Sequence, residues 1–192
     1  MDYTGGTALI VVDVQNDFAD PEGSLYVPGG ETVIPFINAQ VAAASAGGAR
    51  LVYTQDWHPL STPHFEEDGG IWPVHCVAET PGAEFHPRLD VAEDAIFVRK
   101  GSGGEDGYSA FNVRDPVTGA VTPTGLVDRL STIDRTVVVG LALDYCVKET
   151  AIDAADSFET VLLADGTRAV DLRPGDGPRA VAEMVAAGVS VI

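Results

Sequence analysis

The stretch "TVVVGLALDYCVKETAIDAADSFETVLLAD", residues 136–165, contains one complete unit of the fold. Its first run, TVVVGL (136–141), is dominated by valine and predicts a buried strand. Residues 144–158 predict a helix with Asp144 as its N-cap, and TVLLAD (160–165) predicts the next strand. Strand, helix and strand in this order are typical of a parallel sheet that carries helices on its faces.

The same alternation continues in both directions along the chain. Further strands are predicted at 8–13, 50–55, 95–100 and 189–192, and further helices at 31–46, 125–133 and 177–188. The pattern predicts one domain, residues 1–192, of the α/β class: a three-layer α/β/α sandwich around a mostly parallel six-stranded sheet. Two insertions interrupt it, at 57–94 and 101–124. Because long loops are uncommon in compact domains, such insertions are usually functional or disordered. The first is too rich in Trp and His to be disordered, whereas the second is open to either interpretation.

The composition disfavours several classes of partner. The formal net charge of −18 argues against nucleic acid and against anionic membrane surfaces, because both would repel the chain. No apolar run approaches the roughly 20 residues that span a bilayer, and the first residues lack the basic start of a signal peptide. Two cysteines cannot form a disulfide framework, which indicates a cytoplasmic protein with reduced thiols. The sequence is compatible with a homo-oligomer.

Reactive side chains follow four of the predicted strands. Asp13, Asp56 and Lys100 end three of them, and Cys146 comes shortly after the fourth. Ligands of open parallel sheets bind beyond the carboxyl ends of the strands, so these side chains are expected to converge. A helix N-terminus and a nearby ammonium would lower the pKa of the Cys146 thiol, and Asp13 could relay its proton. Taken alone, such a cysteine is more often a buried apolar residue, and such an aspartate a capping group.

The first insertion concentrates imidazoles beside a carboxylate. The candidate metal ligands are Asp56, His58, His64 and His75. One carboxylate with two or three histidines suits Zn²⁺, Fe²⁺ or Mn²⁺. Cys76 is disfavoured as a further ligand, because adjacent residues of an extended chain point apart. His86 has no evident partner and is expected to be structural.

Seven short motifs together resemble one enzyme family. They are VVDVQNDF, DWHP, WPVHC, ETPGAEFHP, VRKG, GYSAF and GLALDYCV, and they cover residues 8 to about 165 in the order of the family. The chain resembles the nicotinamidase/pyrazinamidase branch of the isochorismatase-like cysteine hydrolases. The chain departs from the family at Leu143, where threonine is common, and its loop KGSGGEDGYSAF is a variant.

The resemblance implies a role for each group of residues. It implies a catalytic triad of Asp13, Lys100 and Cys146, and an oxyanion hole from the N–H groups of Ala142 and Cys146 next to a cis peptide between Leu141 and Ala142. It implies metal ligation by Asp56, His58 and His75, with His64 a ligand in some members. It also implies an aromatic pocket of Phe18, Trp72 and Tyr108. One divalent metal ion is expected, zinc first, with iron or manganese as alternatives.

The resemblance further implies hydrolysis of nicotinamide, and of pyrazinamide, through a cysteine thioester. In that reaction the metal orients the substrate through its ring nitrogen. An alternative within the family is an amidase for another small carboxamide or an N-carbamoyl compound. An isochorismatase should lack the cysteine, and a non-haem iron oxygenase would not need Lys100 with Cys146. A catalytically inactive metal-binding scaffold is a last alternative, disfavoured because all three triad positions are filled.

Overall fold

The computed structural model describes residues 1–192, and a parallel sheet runs through its centre. The strands are β1 (Thr7–Val12), β2 (Arg50–Asp56), β3 (Ile96–Lys100), β4 (Asn112–Arg114), β5 (Val121–Pro123), β6 (Arg135–Leu141), β7 (Glu159–Arg168) and β8 (Ser190–Val191). The six strands of the main sheet lie in the order β3-β2-β1-β6-β7-β8, all parallel. Strands β4 and β5 form a separate antiparallel hairpin inside the second insertion.

Helices cover both faces of this sheet. They are α1 (Asn16–Ala19), α2 (Ile34–Ala46), α3 (Leu126–Arg129), α4 (Lys148–Ala155) and α5 (Asp176–Ala186). Helix α2 buries its apolar side against one face, and α3, α4 and α5 bury theirs against the other. The alternation within β1 shows why two cores form: Leu9 and Val11 enter the first, whereas Ile10 and Val12 enter the second. The predicted α/β/α fold with a six-stranded sheet is confirmed.

The segment after β6 differs from the sequence prediction. Instead of an α-helix from residue 144, the chain makes a π-helical turn over Leu143–Val147 before α4 begins. Asp144 does not cap this helix, so that prediction was wrong. Its carboxylate accepts hydrogen bonds from the N–H groups of Val170 and Asp171, at 2.9 and 2.8 Å, and so fixes the loop after β7. The predicted helix at 125–133 is also shorter, a single turn in α3.

A glycine lets β6 lie close to β1 just before the functional site. Gly140 has φ of +120°, and a Cβ placed there would overlap the main chain of Val12. Only glycine adopts this conformation without strain. The close approach sets the ends of β1 and β6 side by side.

None of the helices is both long and apolar enough to cross a lipid bilayer.

Candidate active site and metal centre

The site lies where the order of the strands reverses. From β1 the chain proceeds outward to β2 and β3, then returns to the other side of β1 as β6. Adjacent strands whose connections leave in opposite directions open a crevice at their carboxyl ends, where open α/β sheets bind ligands. Asp13 follows β1 at this point, and the peptide between Leu141 and Ala142, which is cis, follows β6.

Asp13, Lys100 and Cys146 meet in this crevice, as the sequence predicted of their positions. The Lys100 ammonium lies 2.7 Å from Asp13 Oδ2 and 3.8 Å from Cys146 Sγ. It also donates a hydrogen bond to Asp56 Oδ1, so one buried cation contacts two buried carboxylates. Asp56 and Lys100 are register partners in the β2–β3 pair, so the sheet itself brings them together.

Burial and charge oppose each other at these groups. Burial raises the pKa of Asp13 to about 6, although Lys100 acts to lower it. Burial alone would lower the pKa of Lys100, but the carboxylates of Asp13 and Asp56 raise it well above its usual value. Burial also opposes ionisation of Asp56, yet Lys100 and His58 hold its pKa below the usual range. Lys100 is therefore charged and Asp56 ionised, whereas Asp13 is poised to take up a proton.

The thiol of Cys146 behaves differently from the sequence prediction. Burial raises its pKa well above the usual value, and Lys100 lowers it only in part. The predicted lowered pKa was wrong because the sulfur is enclosed and the ammonium, 3.8 Å away, already contacts two carboxylates. Cys146 is thus a neutral thiol in the free protein and needs a base, a role that Asp13 can fill.

Asp13 is held in place by a neighbouring strand. Thr54 Oγ1 donates to Asp13 Oδ1 at 2.5 Å and accepts the N–H of Asp13 at 3.2 Å. Asp13 has φ of +49°, which is unusual for a residue with a side chain. The two bonds to Thr54 fix this conformation and leave Oδ2 for Lys100.

The turn after β6 offers hydrogen-bond donors beside the sulfur. Ala142 lines the cavity together with Cys146, and its N–H donates no hydrogen bond within the chain. The carbonyl of Ala142 instead accepts two bonds, from the N–H groups of Tyr145 and Val147 at 3.1 Å each. A free N–H next to a nucleophile is the arrangement that an oxyanion requires.

Three histidines from the first insertion form a buried cluster. Nitrogens of His58, His64 and His75 lie within 4.8 Å of one another. His75 donates its Nδ1–H to the carbonyl of Pro73 at 2.7 Å, because a carbonyl can only accept. Burial lowers the pKa of His75 to about 4, so the ring is neutral at pH 7 with Nε2 free. A neutral imidazole with one nitrogen held in this way is what a metal ligand needs.

His58 is the centre of the cluster. Neither of its ring nitrogens has a hydrogen-bond partner, although the residue is fully buried. Its Nε2 lies 3.8 Å from Asp56 Oδ2, and Nε2 of His75 lies 3.9 Å from the same oxygen. Gly101 makes room on the other side, since a Cβ there would lie 2.5 Å from the His58 ring. An unpartnered buried imidazole is costly unless it binds something else.

The donor set fits a divalent metal ion. Three imidazoles and one carboxylate oxygen at these separations are within reach of a cation that binds each donor at about 2.0–2.2 Å. A second group of possible ligands, formed by Asp13, Asp56 and Cys146, is also close together. The Lys100 ammonium already lies among those three and supplies the positive charge there. The histidine cluster, together with Asp56, is therefore the candidate metal centre.

A small apolar cavity joins the two groups of residues. Phe18, Trp72 and Tyr108, expected from the sequence, line it together with His64, His75, Asp56, Ala142 and Cys146. Trp72 donates its indole N–H to the hydroxyl of Tyr108 at 2.9 Å. Larger clefts on the surface contain neither the thiol nor the histidine cluster. The cavity thus has aromatic walls and lies between a thiol and the candidate metal centre.

Several residues of the site were missed at the sequence level. Leu25, Val27, Tyr145 and Val170 complete the cavity wall. Gln15 binds both main-chain groups of Asp56, donating to its carbonyl at 2.7 Å and accepting its N–H at 2.8 Å. The only sequence signal for Gln15 is its place in the VVDVQNDF motif.

Three other residues are accounted for without a place in the site. Cys76 is buried outside the ligand cluster, with its N–H donated to Asp17 at 2.7 Å. His86 accepts the N–H of Arg88 at 3.2 Å, which agrees with a structural role. Leu143 packs into the core beneath the sheet and does not line the cavity. The departure from the family at this position therefore lies outside the cavity wall.

Comparisons with known proteins identify the family of this chain. A model of the isochorismatase domain matches residues 7–192. The nicotinamidase of Escherichia coli (strain K12) is 35% identical, with 96% of this chain and 93% of the relative aligned. The pyrazinamidase of Pyrococcus horikoshii, solved in complex with zinc, superposes with a TM-score of 0.85 at 38% identity, covering 97% and 98% of the two chains. PnC1 from L. infantum, solved in complex with nicotinate, superposes with a TM-score of 0.89 at 37% identity, covering 100% of this chain and 95% of that chain. This chain belongs to the isochorismatase domain family, among relatives that are nicotinamidases and pyrazinamidases.

Proposed function

We propose that this protein is a metal-dependent nicotinamidase, which hydrolyses nicotinamide, and pyrazinamide, to the carboxylic acid and ammonia. The observation that carries the proposal is that Cys146 lines one small aromatic cavity together with His64 and His75, two members of the histidine cluster. The similarity to a nicotinamidase and to structures with zinc and with nicotinate supports the same conclusion. We further propose that residues 1–192 act as one domain in the cytoplasm.

In the first half of the reaction, Asp13 takes the proton from the Cys146 thiol, and the sulfur attacks the carboxamide carbon. The pKa of Asp13, raised to about 6 by burial, makes it a base that can also release the proton near neutral pH. Negative charge on the carbonyl oxygen is stabilised by the N–H groups of Ala142 and Cys146. Asp13 then protonates the amide nitrogen, the C–N bond breaks, and ammonia leaves behind a thioester.

In the second half, water replaces ammonia. Asp13, now ionised again, takes a proton from the water molecule as its oxygen attacks the thioester carbon. The C–S bond breaks, the proton returns to sulfur, and the carboxylic acid is released. Lys100 remains charged throughout and balances the changing charge on Asp13 and Cys146, both of which it contacts.

Asp56, His58, His64 and His75 would hold the metal ion, zinc first, with iron or manganese as alternatives. When bound, the ion supplies a Lewis acid for the pyridine ring nitrogen and so sets the direction in which the carboxamide points. Phe18, Trp72 and Tyr108 confine the ring between the ion and the sulfur. These side chains exclude water and restrict the site to small flat substrates.

The test is ammonia release by the purified protein from nicotinamide, pyrazinamide and an N-carbamoyl amino acid. We expect both pyridine-type carboxamides to be hydrolysed and the N-carbamoyl compound to be left intact. Removal of metal with a chelator should abolish the activity, and zinc, iron and manganese are then added back singly. Activity with the N-carbamoyl compound alone, or activity that is unchanged after complete metal removal, would contradict the proposal.

A further inference from the structure

Two side-chain hydrogen bonds fasten the two insertions to each other above the metal centre. Asp106 binds His64, and Tyr108 binds Trp72, both at 2.9 Å. Asp106 and Tyr108 belong to the second insertion and are two residues apart, so both can face the first insertion from one extended segment. We call these two bonds the insertion clasp. One of its bonds ends on a candidate metal ligand and the other on a wall of the cavity.

The bond to Asp106 determines which nitrogen of His64 is available to a metal. A carboxylate oxygen accepts hydrogen bonds, so in this 2.9 Å contact we assign the proton to Nδ1 of His64 and the acceptor role to Asp106 Oδ1. The lone pair of His64 is thereby placed on Nε2. The side chain of His64 is 6% exposed, which leaves little room for water to replace Asp106 as the partner.

The three histidines are held by three different means. His75 is held by a main-chain carbonyl, that of Pro73, and His58 by packing alone. Only His64 relies on a charged side chain of the other insertion. A carboxylate behind a metal-bound imidazole fixes the ring and raises its basicity, and partners of this kind are worth about 10–100-fold in metal affinity.

Asp106 is itself fixed by the chain around it. Its main chain exchanges two hydrogen bonds with Arg114, the last residue of β4, at 2.7 and 3.0 Å. The following residue, Gly107, packs so tightly on Lys100 that a Cβ there would lie 2.7 Å from the Lys100 Cβ. The side chain of Asp106 is 26% exposed, so it remains in contact with solvent while it binds the buried His64.

We propose that Asp106 is a positioning residue for the metal centre: it orients His64 and adds a second negative charge next to the bound cation. The proposal rests on the metal dependence of the proposed function. The proposal assigns a function to the second insertion. Its β4–β5 hairpin holds Asp106 in place and would so strengthen metal binding without supplying a ligand. Asp106 touches neither the thiol nor the cavity, so its effect on hydrolysis should pass through the metal alone.

The test is the zinc dissociation constant, measured by competition with a chromogenic chelator, for the parent and for variants D106A and D106N. The control variant is E105Q, which removes a carboxylate one residue away that forms no ion pair with a histidine. We expect D106A to bind zinc about 10–100-fold more weakly. D106N should lose less, because the amide oxygen still accepts from Nδ1, and E105Q should stay within about twofold of the parent.

Thermal unfolding of the metal-free proteins separates positioning from folding. We expect D106N and the parent to unfold at the same temperature without zinc and at different temperatures with it. Equal zinc affinity for the parent, D106A and D106N would overturn the inference while leaving the proposed function intact. A parent protein that binds no zinc, iron or manganese would overturn both. If D106A does not fold, D106N alone decides the question.

Discussion

Asp13, Lys100 and Cys146 follow or end strands of one sheet, whereas His64 and His75 lie in an insertion that contributes no strand to it. Main-chain register pairs Lys100 with Asp56, and Asp13 and Cys146 lie in the segments that follow β1 and β6. The two histidines are positioned by individual hydrogen bonds, which His75 donates to a main-chain carbonyl and His64 donates to Asp106. The nucleophile should therefore tolerate changes in the insertions, and metal binding should not.

This difference is also one of charge. The strand-borne half of the site consists of Asp13, Lys100 and Cys146. Its Lys100 ammonium lies between the carboxylates of Asp13 and Asp56, and all three groups are buried. The insertion-borne half consists of His58, His64 and His75. Its single carboxylate, that of Asp56, is shared with the strand-borne half. Asp56 is thus shared by the two halves: one of its carboxylate oxygens contacts Lys100 and the other faces the histidines. Substitutions in either half can therefore be used to separate the role of the thiol from the role of the metal ligands.

The largest effect is expected from Cys146→Ala, which removes the nucleophile. We expect kcat for nicotinamide to fall on the order of 10⁴-fold or more. Zinc affinity should change by less than about twofold, since the sulfur is not among the donors of the histidine cluster. Both quantities are measured on the same preparations. More than a few per cent of the parent activity would exclude covalent catalysis by this residue.

Lys100→Met removes the buried ammonium and leaves Asp13 and Asp56 without their cation. We expect the metal-free protein to lose about 3–5 kcal/mol of unfolding free energy, because breaking a buried ion pair strands its partners. The control is Lys148→Met, the chain's other lysine, which pairs with Glu149 and Glu183 near the surface and should cost less than about 1 kcal/mol. Urea unfolding measures both, and equal losses would contradict the account.

Gly101→Ala tests the insertion-borne half. The new Cβ would lie 2.5 Å from the His58 ring, so the ring must move and zinc affinity should fall about tenfold or more. Gly119→Ala is the matched control, since φ is +73° there against +71° at Gly101, with no atom within 4 Å of the new Cβ. Backbone strain should destabilise both variants similarly, by about 1 kcal/mol. If both bind zinc as the parent does, Gly101 does not shape the site.

Thr54→Val is expected to have the smallest effect, on the pH profile. The hydrogen bond from Thr54 lowers the pKa of Asp13, which burial has raised to about 6. Its loss raises that pKa further, so a larger share of Asp13 is protonated at a given pH and cannot act as base. The acid limb of kcat/KM should therefore move to higher pH, while the plateau at higher pH changes little. An acid limb that stays in place or moves to lower pH would show that Asp13 is not the titrating base.

The strand-borne half was predictable from the sequence because its signals are local. Valine-rich runs marked β1 and β6, and a polar residue at the end of a parallel strand has only one edge of the sheet to occupy. The histidines of the insertion were identified as candidates by their spacing, together with the resemblance to a family. The sequence could not show which nitrogen of each ring is free.

The features that were missed or wrong depend on contacts between distant segments. The bond of Asp106 to His64 joins residues 42 positions apart, and neither neighbourhood predicts it. Asp144 looked like a helix cap, but the loop after β7 supplies its partners. The pKa of Cys146 was predicted in the wrong direction because its burial depends on the whole cavity wall. Local sequence patterns do not show how deeply distant segments of the chain bury a side chain.

The most direct test of separate roles for the thiol and the metal ligands compares kcat/KM for nicotinamide and for benzamide. Both values are measured with the metal-loaded parent and with His58→Ala. Benzamide has the same scissile bond but no ring nitrogen. If the metal orients the ring, the parent should prefer nicotinamide on the order of 10²-fold or more, and His58→Ala should lose nicotinamide activity while benzamide activity changes little. Equal hydrolysis of the two amides by the parent, or an equal loss of both in His58→Ala, would contradict the account.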